Sequence, residues 1–168
     1  RGPKIYYHRL GTPQSEDVLI HERPDEPKWG FSPKITEDGR YLVVSVWKGT
    51  GHKNQVLYQD LRKTRPGQKP AAGAMVTLIG TFDAKFNFIG NSGSVFWFVT
   101  DLEAPRGRIV AIDVRKPERD KWVELIAQGP DALEGAEETG GRIFVEYLHD
   151  AHSRIAVHDH KGKHLSDV

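Results

Sequence analysis

The sequence predicts an all-β fold, a partial β-propeller of about three and a half four-stranded antiparallel blades. Three observations support this prediction. A short β-rich run recurs along the chain at spacings of 46 to 53 residues. A second β-rich run, opened by a glycine turn, precedes each of the last three recurrences, and helical periodicity is nearly absent. A β-sandwich of similar size also has many short strands, but the regular repeat favours the propeller.

The recurring runs occupy residues 4–8, 55–61, 108–114 and 154–159. They are short and rich in Ile and Val, as strands are. In the last three runs an aspartate stands at the same place, and these residues are Asp60, Asp113 and Asp159. Catalytic carboxylates would not repeat in this way. We therefore predict that each Asp accepts backbone N–H groups where its strand ends.

The glycine-opened runs occupy residues 38–45, 92–98 and 140–147. Glycine suits a tight turn with positive φ, and the residues that follow it are β-branched or aromatic. We predict that these runs form inner, well-buried strands. A shorter run closes each unit, and these closing runs are residues 18–21, 75–79, 121–126 and 164–165.

These runs divide the chain into a half blade, residues 1–30, and three blades, residues 31–80, 81–128 and 129–168. Only residues 130–134 have the composition of a helical turn. Because strand-like runs lie at both ends, we expect the chain to be a piece of a longer protein. An incomplete propeller leaves blade edges exposed, and we expect self-association through them.

Composition excludes several classes of function. The chain has 24 Lys and Arg against 23 Asp and Glu, so that its net charge of +1 gives no sign of nucleic-acid binding. It has no cysteine, which excludes a disulfide framework and a thiolate nucleophile. We expect no membrane partner, because no apolar run approaches the roughly 18 residues of a membrane span. A cytoplasmic and a bacterial periplasmic location both remain open.

Two glycine-rich segments resemble catalytic or binding motifs only in part. Residues 90–94 place Ser92 between glycines, as a nucleophile elbow does, but the fifth position is Ser94 and a strand follows instead of a helix. Residues 49–53 resemble a phosphate-binding loop but lack the Gly-Lys-Ser/Thr sequence and a following helix. We interpret both segments as ordinary turns.

Five of the eight histidines lie late in the chain, at positions 149, 152, 158, 160 and 164. His158 and His160 alternate along a predicted strand and would share one face, where two imidazoles could meet a metal ion. The spacing places no third ligand beside them. We therefore expect no metal site and a solvated histidine cluster at a hairpin end.

Four segments closely resemble the prolyl oligopeptidase family of serine peptidases. They are residues 10–17 (LGTPQSED), 24–29 (PDEPKW), 38–41 (DGRY) and 147–150 (YLHD). The sister group oligopeptidase B shares a Leu-Gly-Thr segment, whereas the first two segments together favour prolyl oligopeptidase. The segments span nearly the whole chain.

This resemblance implies a function for the parent protein. Members of the family pair a C-terminal α/β-hydrolase domain, which cleaves short peptides after proline, with a seven-bladed propeller that covers the active site and gates access. The chain would be the middle of that propeller, packed on the hydrolase domain. The catalytic Ser, Asp and His would lie beyond residue 168. We therefore expect no catalytic residue and no cofactor in this chain.

The resemblance also gives two candidates for the substrate cavity, Trp47 and Thr50. Mammalian-type members carry Arg and Cys at these two positions, facing the bound peptide, and this chain has neither residue. Trp47 would offer an aromatic wall instead, although packing at a blade edge is an equally good interpretation. A stand-alone propeller-like binding module, with a ligand at the mouth of the central tunnel, is the alternative to a peptidase segment.

Overall fold

The computed structural model describes residues 2–63 and 75–168, and these residues form strands, turns and three single 3₁₀ turns. The strands are β1 (Lys4–Tyr7), β2 (Val18–Glu22), β3 (Trp29–Ile35), β4 (Tyr41–Lys48), β5 (Asn54–Asp60), β6 (Val76–Ile79), β7 (Phe86–Ser92), β8 (Val95–Thr100), β9 (Arg108–Asp113), β10 (Val123–Ile126), β11 (Ala132–Thr139), β12 (Arg142–His149), β13 (His152–His158) and β14 (His164–Asp167). No helix in the described part of the chain has the length and apolarity needed to cross a membrane.

The chain forms two compact units, Arg1–Phe82 and Asp83–Val168. The first unit contains the antiparallel pair β1–β2 and a four-stranded sheet in the order β3-β4-β5-β6. In that sheet every neighbouring pair is antiparallel and consecutive in sequence, with Ser45 of β4 opposite both Ser32 and Val56. The buried residues of one core cluster in this unit are Ile5, Ile20, Trp29, Leu42, Val44, Val46 and Leu57.

The second unit contains two four-stranded meanders, β7-β8-β9-β10 and β11-β12-β13-β14. A core cluster includes residues of both sheets, and its buried members are Ile89, Trp97, Val99, Ile109, Ala111, Ile126, Leu133, Ile143, Val145, Tyr147 and Ala156. Phe96 and Phe98 alternate with Trp97 along β8 and are fully buried as well. Both faces of β8 are therefore buried, as its run of Val, Phe and Trp suggests.

The strands predicted from the sequence are confirmed. The recurring runs form β1, β5, β9 and β13, the glycine-opened runs form β4, β8 and β12, and the closing runs form β2, β6, β10 and β14. Burial on both faces holds for β4 and β8, but β12 alternates between buried and exposed residues, so for β12 that part of the prediction is wrong.

Residues 130–134, whose composition would allow a helical turn, do not form one. Strand β11 begins at Ala132 and pairs with β12 along its length. Leu133 donates its backbone N–H to the carbonyl of Arg106 at 2.7 Å, and its side chain belongs to the core of the second unit. These contacts with residues distant in sequence outweigh the local preference of an Ala, Leu and Glu segment.

Candidate functional site

The end of β4 and the turn that follows it carry the two cavity candidates that the sequence resemblance suggests, Trp47 and Thr50. Gly49 has φ +52°, and its N–H points to the carbonyl of Lys28 at 3.4 Å. Gly51 donates its N–H to the carbonyl of Lys48 at 3.0 Å and closes the turn. Thr50 lies at the tip and is exposed. The turn therefore leaves its hydroxyl accessible from solvent.

Trp47 lies on the face of β4 opposite the core of the first unit and is half-buried. Its neighbours across the sheet are Gly30 and Asn54. A Cβ at Gly30 would overlap indole atoms Cε2 and Cζ2 of Trp47. The indole therefore lies directly over the Gly30 backbone, in a position that any other residue at 30 would obstruct.

The other neighbour of Trp47 is a buried amide. Asn54 is 6% exposed, and its Nδ2 donates to Ser45 Oγ at 3.0 Å and to the Gln55 carbonyl at 3.2 Å. These bonds fix the start of β5 beside the indole. Trp47 thus presents a supported aromatic surface, and Thr50 a hydroxyl, at the same end of one sheet. Such groups can contact a peptide.

A cluster of aromatic and cationic side chains lies at this same end, and the sequence reasoning missed it. We call Arg23, Trp29, Lys48 and Phe82 the aromatic–cation cluster. Trp29 packs edge-on against Phe82, with ring centroids 5.2 Å apart. Arg23 Cζ lies 4.6 Å from the Trp29 ring, and Lys48 Nζ lies 5.2 Å from Trp29 and 4.4 Å from Phe82. Only the pairing of Trp29 with Lys48 across β3 and β4 could have revealed it.

The segment that resembled a nucleophile elbow is a hairpin turn. Ser92 ends β7 and is exposed, and Gly93 and Ser94 lead directly into β8. The side chain of Ser94 instead donates a hydrogen bond to Asp113. This bond helps to lower the pKa of the Asp113 carboxyl group. The strand–turn–helix geometry that exposes a catalytic serine is therefore not formed here.

The solvated cluster of late histidines that the sequence predicted forms only in part, since His149, His152 and His164 are exposed but His158 is buried. Strand β13 ends at His158, so His158 and His160 do not share a strand face. His158 is 8% exposed, with Nδ1 3.1 Å from the Gly162 carbonyl. His160 Nε2 lies 3.0 Å from Glu138 Oε1, and its ring lies 4.4 Å from that of Trp97. Burial of His158 and the contacts of His160 with Glu138 and Trp97 are the reason for the difference.

Two of the other late histidines, His149 and His164, are engaged by carboxylates. Asp131 lies 2.8 Å from His149 Nδ1, and this hydrogen bond raises the pKa of His149. His164 Nε2 lies 2.9 Å from Asp167 and lowers the pKa of that carboxyl group. Within the described ranges, no three His, Cys, Asp or Glu side chains are arranged to hold a metal ion.

The three repeated aspartates bind backbone N–H groups, as predicted. Each carboxylate accepts the N–H of the residue two positions later, at 2.9 to 3.1 Å. Hydrogen bonds from Arg62 and Arg115 lower the pKa values of Asp60 and Asp113. Backbone N–H groups, that of Lys163 foremost, lower the pKa of Asp159. These groups are structural elements of the turns.

Comparison with known proteins gives a match along almost the whole chain. The family model described as the N-terminal β-propeller domain of prolyl oligopeptidase matches residues 2–168. Prolyl oligopeptidase A of Amanita bisporigera is 32% identical over 167 residues, covering 98% of this chain and 21% of the relative. A prolyl endopeptidase of Elizabethkingia meningoseptica is 31% identical over 160 residues, covering 95% of this chain and 21% of the relative.

Solved structures match the fold equally well. A prolyl endopeptidase from a structural and mechanistic study of two such enzymes superposes with a TM-score of 0.87 at 31% identity, covering 98% of this chain and 23% of that one. Apo prolyl oligopeptidase B of Galerina marginata superposes with a TM-score of 0.88 at 24% identity, covering 98% and 23%. The predicted fold class, a partial β-propeller, is confirmed. The chain spans about a fifth of the length of these curated relatives.

Proposed function

The chain belongs to the family of prolyl oligopeptidase N-terminal β-propeller domains, and from this premise we propose that it is the propeller segment of a serine endopeptidase that cleaves short peptides after proline. In the intact protein this segment gates substrate access and packs on a C-terminal α/β-hydrolase domain. The observation that supports this proposal is the match over residues 2–168 with relatives about five times as long.

The proposal assigns the chemistry to residues outside this chain. Acyl transfer requires an activated serine, a base and an oxyanion hole in one place. The candidate site supplies contact groups instead.

Blade boundaries at residues 31–80, 81–128 and 129–168, after a half blade at 1–30, belong to the same proposal. The three four-stranded sheets support these bounds, because each lies inside its range except that β3 begins at Trp29, two residues before position 31.

Activity of the full-length protein tests the proposal directly. We expect it to hydrolyse a chromogenic peptide that ends in proline before the chromophore and to lose this activity to a serine-directed inhibitor. A matched peptide with alanine in place of proline should be a poor substrate. Gating adds a second expectation, since a folded protein with an exposed proline should resist cleavage while the same sequence as a short peptide is cleaved.

A lack of hydrolysis, or hydrolysis that the inhibitor does not affect, contradicts the peptidase assignment. A stop codon directly after Val168 would contradict it as well and would favour a stand-alone binding module. Cleavage of the folded protein at the rate of the short peptide contradicts gating alone. The two parts of the proposal can therefore fail separately.

The role of Trp47 as a cavity wall has its own test. Loss of one aromatic contact is worth about 1 kcal/mol, so we expect Trp47→Ala to raise KM about fivefold for a proline peptide. Trp47→Phe keeps a ring over Gly30 and should stay near the wild-type value. Melting temperatures of both variants control for misfolding. Unchanged KM and kcat in a folded Trp47→Ala enzyme would refute the role.

A further inference from the structure

Two cations share the ring of Trp29, and among the described residues only one of them has a carboxylate partner. Arg23 Nε donates to Asp25 Oδ1 at 2.9 Å and Nη2 donates to Oδ2 at 2.7 Å. Hydrogen bonding to Asp25, with the added charge of Glu26, raises the pKa of Arg23. The chain therefore compensates the charge of this guanidinium with its own acidic residues.

Lys48 has no such partner in the part of the chain that the structure describes. Its Nζ is positioned over Phe82 and Trp29, and within the described residues 2–63 and 75–168 it forms no ion pair. Lys48 is an exposed residue. The two rings attract the ammonium electrostatically but do not neutralise it. A fixed positive charge therefore faces solvent at the end of β4.

The residues next to Lys48 add to this charge. The carbonyl of Lys28 accepts the N–H of Gly49, and His52 and Lys53 complete the turn that leads to β5. No acidic residue occurs between positions 39 and 59. Arg23, Lys28, Lys48 and Lys53 outnumber Asp25 and Glu26 here, so the charge at this end of the sheet is positive, although the chain as a whole is close to neutral.

We propose that Lys48, held by Trp29 and Phe82, binds a carboxylate of the peptide substrate at this end of the sheet. The ligand is a peptide with an acidic side chain or a free C-terminus, because both offer the same carboxylate group. An ammonium already ordered by two rings loses less side-chain entropy on binding than a free lysine does. The inference rests on the proposed function insofar as it names a peptide as the ligand.

The test uses the full-length protein and three proline peptides of equal length. An ethylene isostere replaces the amide bond after proline, so that none can be cleaved. One peptide carries Gln and an amidated C-terminus, the second carries Glu and the same amide, and the third carries Gln and a free C-terminus. Calorimetry gives the Kd of each, at low and at high salt.

We expect at least one acidic peptide to bind three- to tenfold more tightly than the neutral peptide, with a preference that weakens at high salt. The comparison of the second and third peptides tells a side-chain carboxylate from a terminal one. Lys48→Gln should abolish the preference, and Lys48→Arg should keep most of it. Lys116→Gln, which removes an exposed lysine from the second unit, is the matched control and should change nothing.

Equal binding of all three peptides, absence of binding, or a preference that survives Lys48→Gln overturns the inference. Hydrolysis of the chromogenic peptide is measured separately. Hydrolysis without a carboxylate preference refutes the role of Lys48 and leaves the peptidase assignment intact. A Lys48-dependent preference in a protein that hydrolyses no proline peptide refutes the peptidase assignment and leaves the role of Lys48 intact.

Discussion

The two ends of the four-stranded sheets differ in how regularly their residues repeat. At the end where the third strand finishes, each sheet places an aspartate that accepts the backbone N–H two residues later. At the opposite end, where the second strand finishes, the residues differ from sheet to sheet. The last residue there is Lys48 in β4, Thr100 in β8 and His149 in β12.

This difference separates scaffold from candidate function. Every sheet has to close the same kind of turn after its third strand, and a carboxylate that binds backbone N–H groups solves that problem each time. No common backbone requirement fixes the side chains at the opposite end. Trp47, Thr50 and the aromatic–cation cluster all lie there. Substitutions at the repeating end should therefore affect stability, and those at the variable end should affect ligands.

The largest expected effect is at Gly162, in the turn after β13 that Asp159 organises. Gly162 has φ +80°, and a Cβ there would overlap the carbonyl oxygen of Leu125. We expect Gly162→Ala to lower the free energy of unfolding by at least about 3 kcal/mol, because backbone atoms must move apart. Urea unfolding followed by tryptophan fluorescence measures the change.

Gly141 provides a matched control for this substitution. It has φ +78°, and a Cβ added there meets nothing within 4 Å. Gly141→Ala should therefore cost only the conformational penalty of about 1 to 2 kcal/mol. Equal effects of the two substitutions would mean that φ alone matters and that the turn is not pressed against Leu125.

The second effect, of intermediate size, concerns Asp113. Its carboxylate accepts the backbone N–H of Arg115 at 3.0 Å and the guanidinium at 2.7 Å. We expect Asp113→Asn to reduce the free energy of unfolding by about 1.5 kcal/mol at pH 7, because charge-assisted bonds are weakened. Asp120→Asn, at an exposed loop carboxylate, should cost less than about 0.5 kcal/mol.

The pH dependence follows from the direction of the pKa shift. The pKa of Asp113 is lower in the folded protein than in the unfolded chain. Its contribution is therefore complete at pH values well above the unfolded pKa of about 3.9 and is lost progressively as the pH falls from about 5 toward the lower folded pKa. The difference between wild type and Asp113→Asn should shrink over that range. A difference that stays constant down to pH 2 would contradict the role of the charge.

The predictable part of the fold is the part with local signals. Strands β4, β8 and β9 are rich in Val, Ile and Phe, and glycine turns precede β4 and β8, so their sequences alone identify them. Strand β11 contains three glutamates and a glycine and has no such signal. It becomes a strand because β12 pairs with it. The sequence of one segment does not show which other segment will pair with it.

The candidate site was predictable only in part, for a similar reason. Trp47 and Thr50 came from the resemblance to a family, since nothing in their spacing marks them. Lys48 lies next to Trp47, yet its partners Trp29 and Phe82 are 19 and 34 residues away in sequence. The sheet brings them together. The backbone geometry of the turn between β12 and β13 was likewise not predictable from the sequence. A substitution in this turn has the smallest expected effect on stability.

That last prediction places a gain in stability at the variable end. Asp150 and Ala151 connect β12 to β13 with φ of 45° and 65°, a conformation that costs alanine about 1 kcal/mol. Ala151→Gly removes this cost but adds about 0.5 kcal/mol of unfolded-state entropy, so we expect a net gain of about 0.5 kcal/mol. Ala136→Gly, inside β11, should instead lose about 1 kcal/mol. If urea unfolding gives a higher free energy of unfolding for Ala151→Gly and a lower one for Ala136→Gly, Ala151 is a strained residue that the stability of the scaffold does not require.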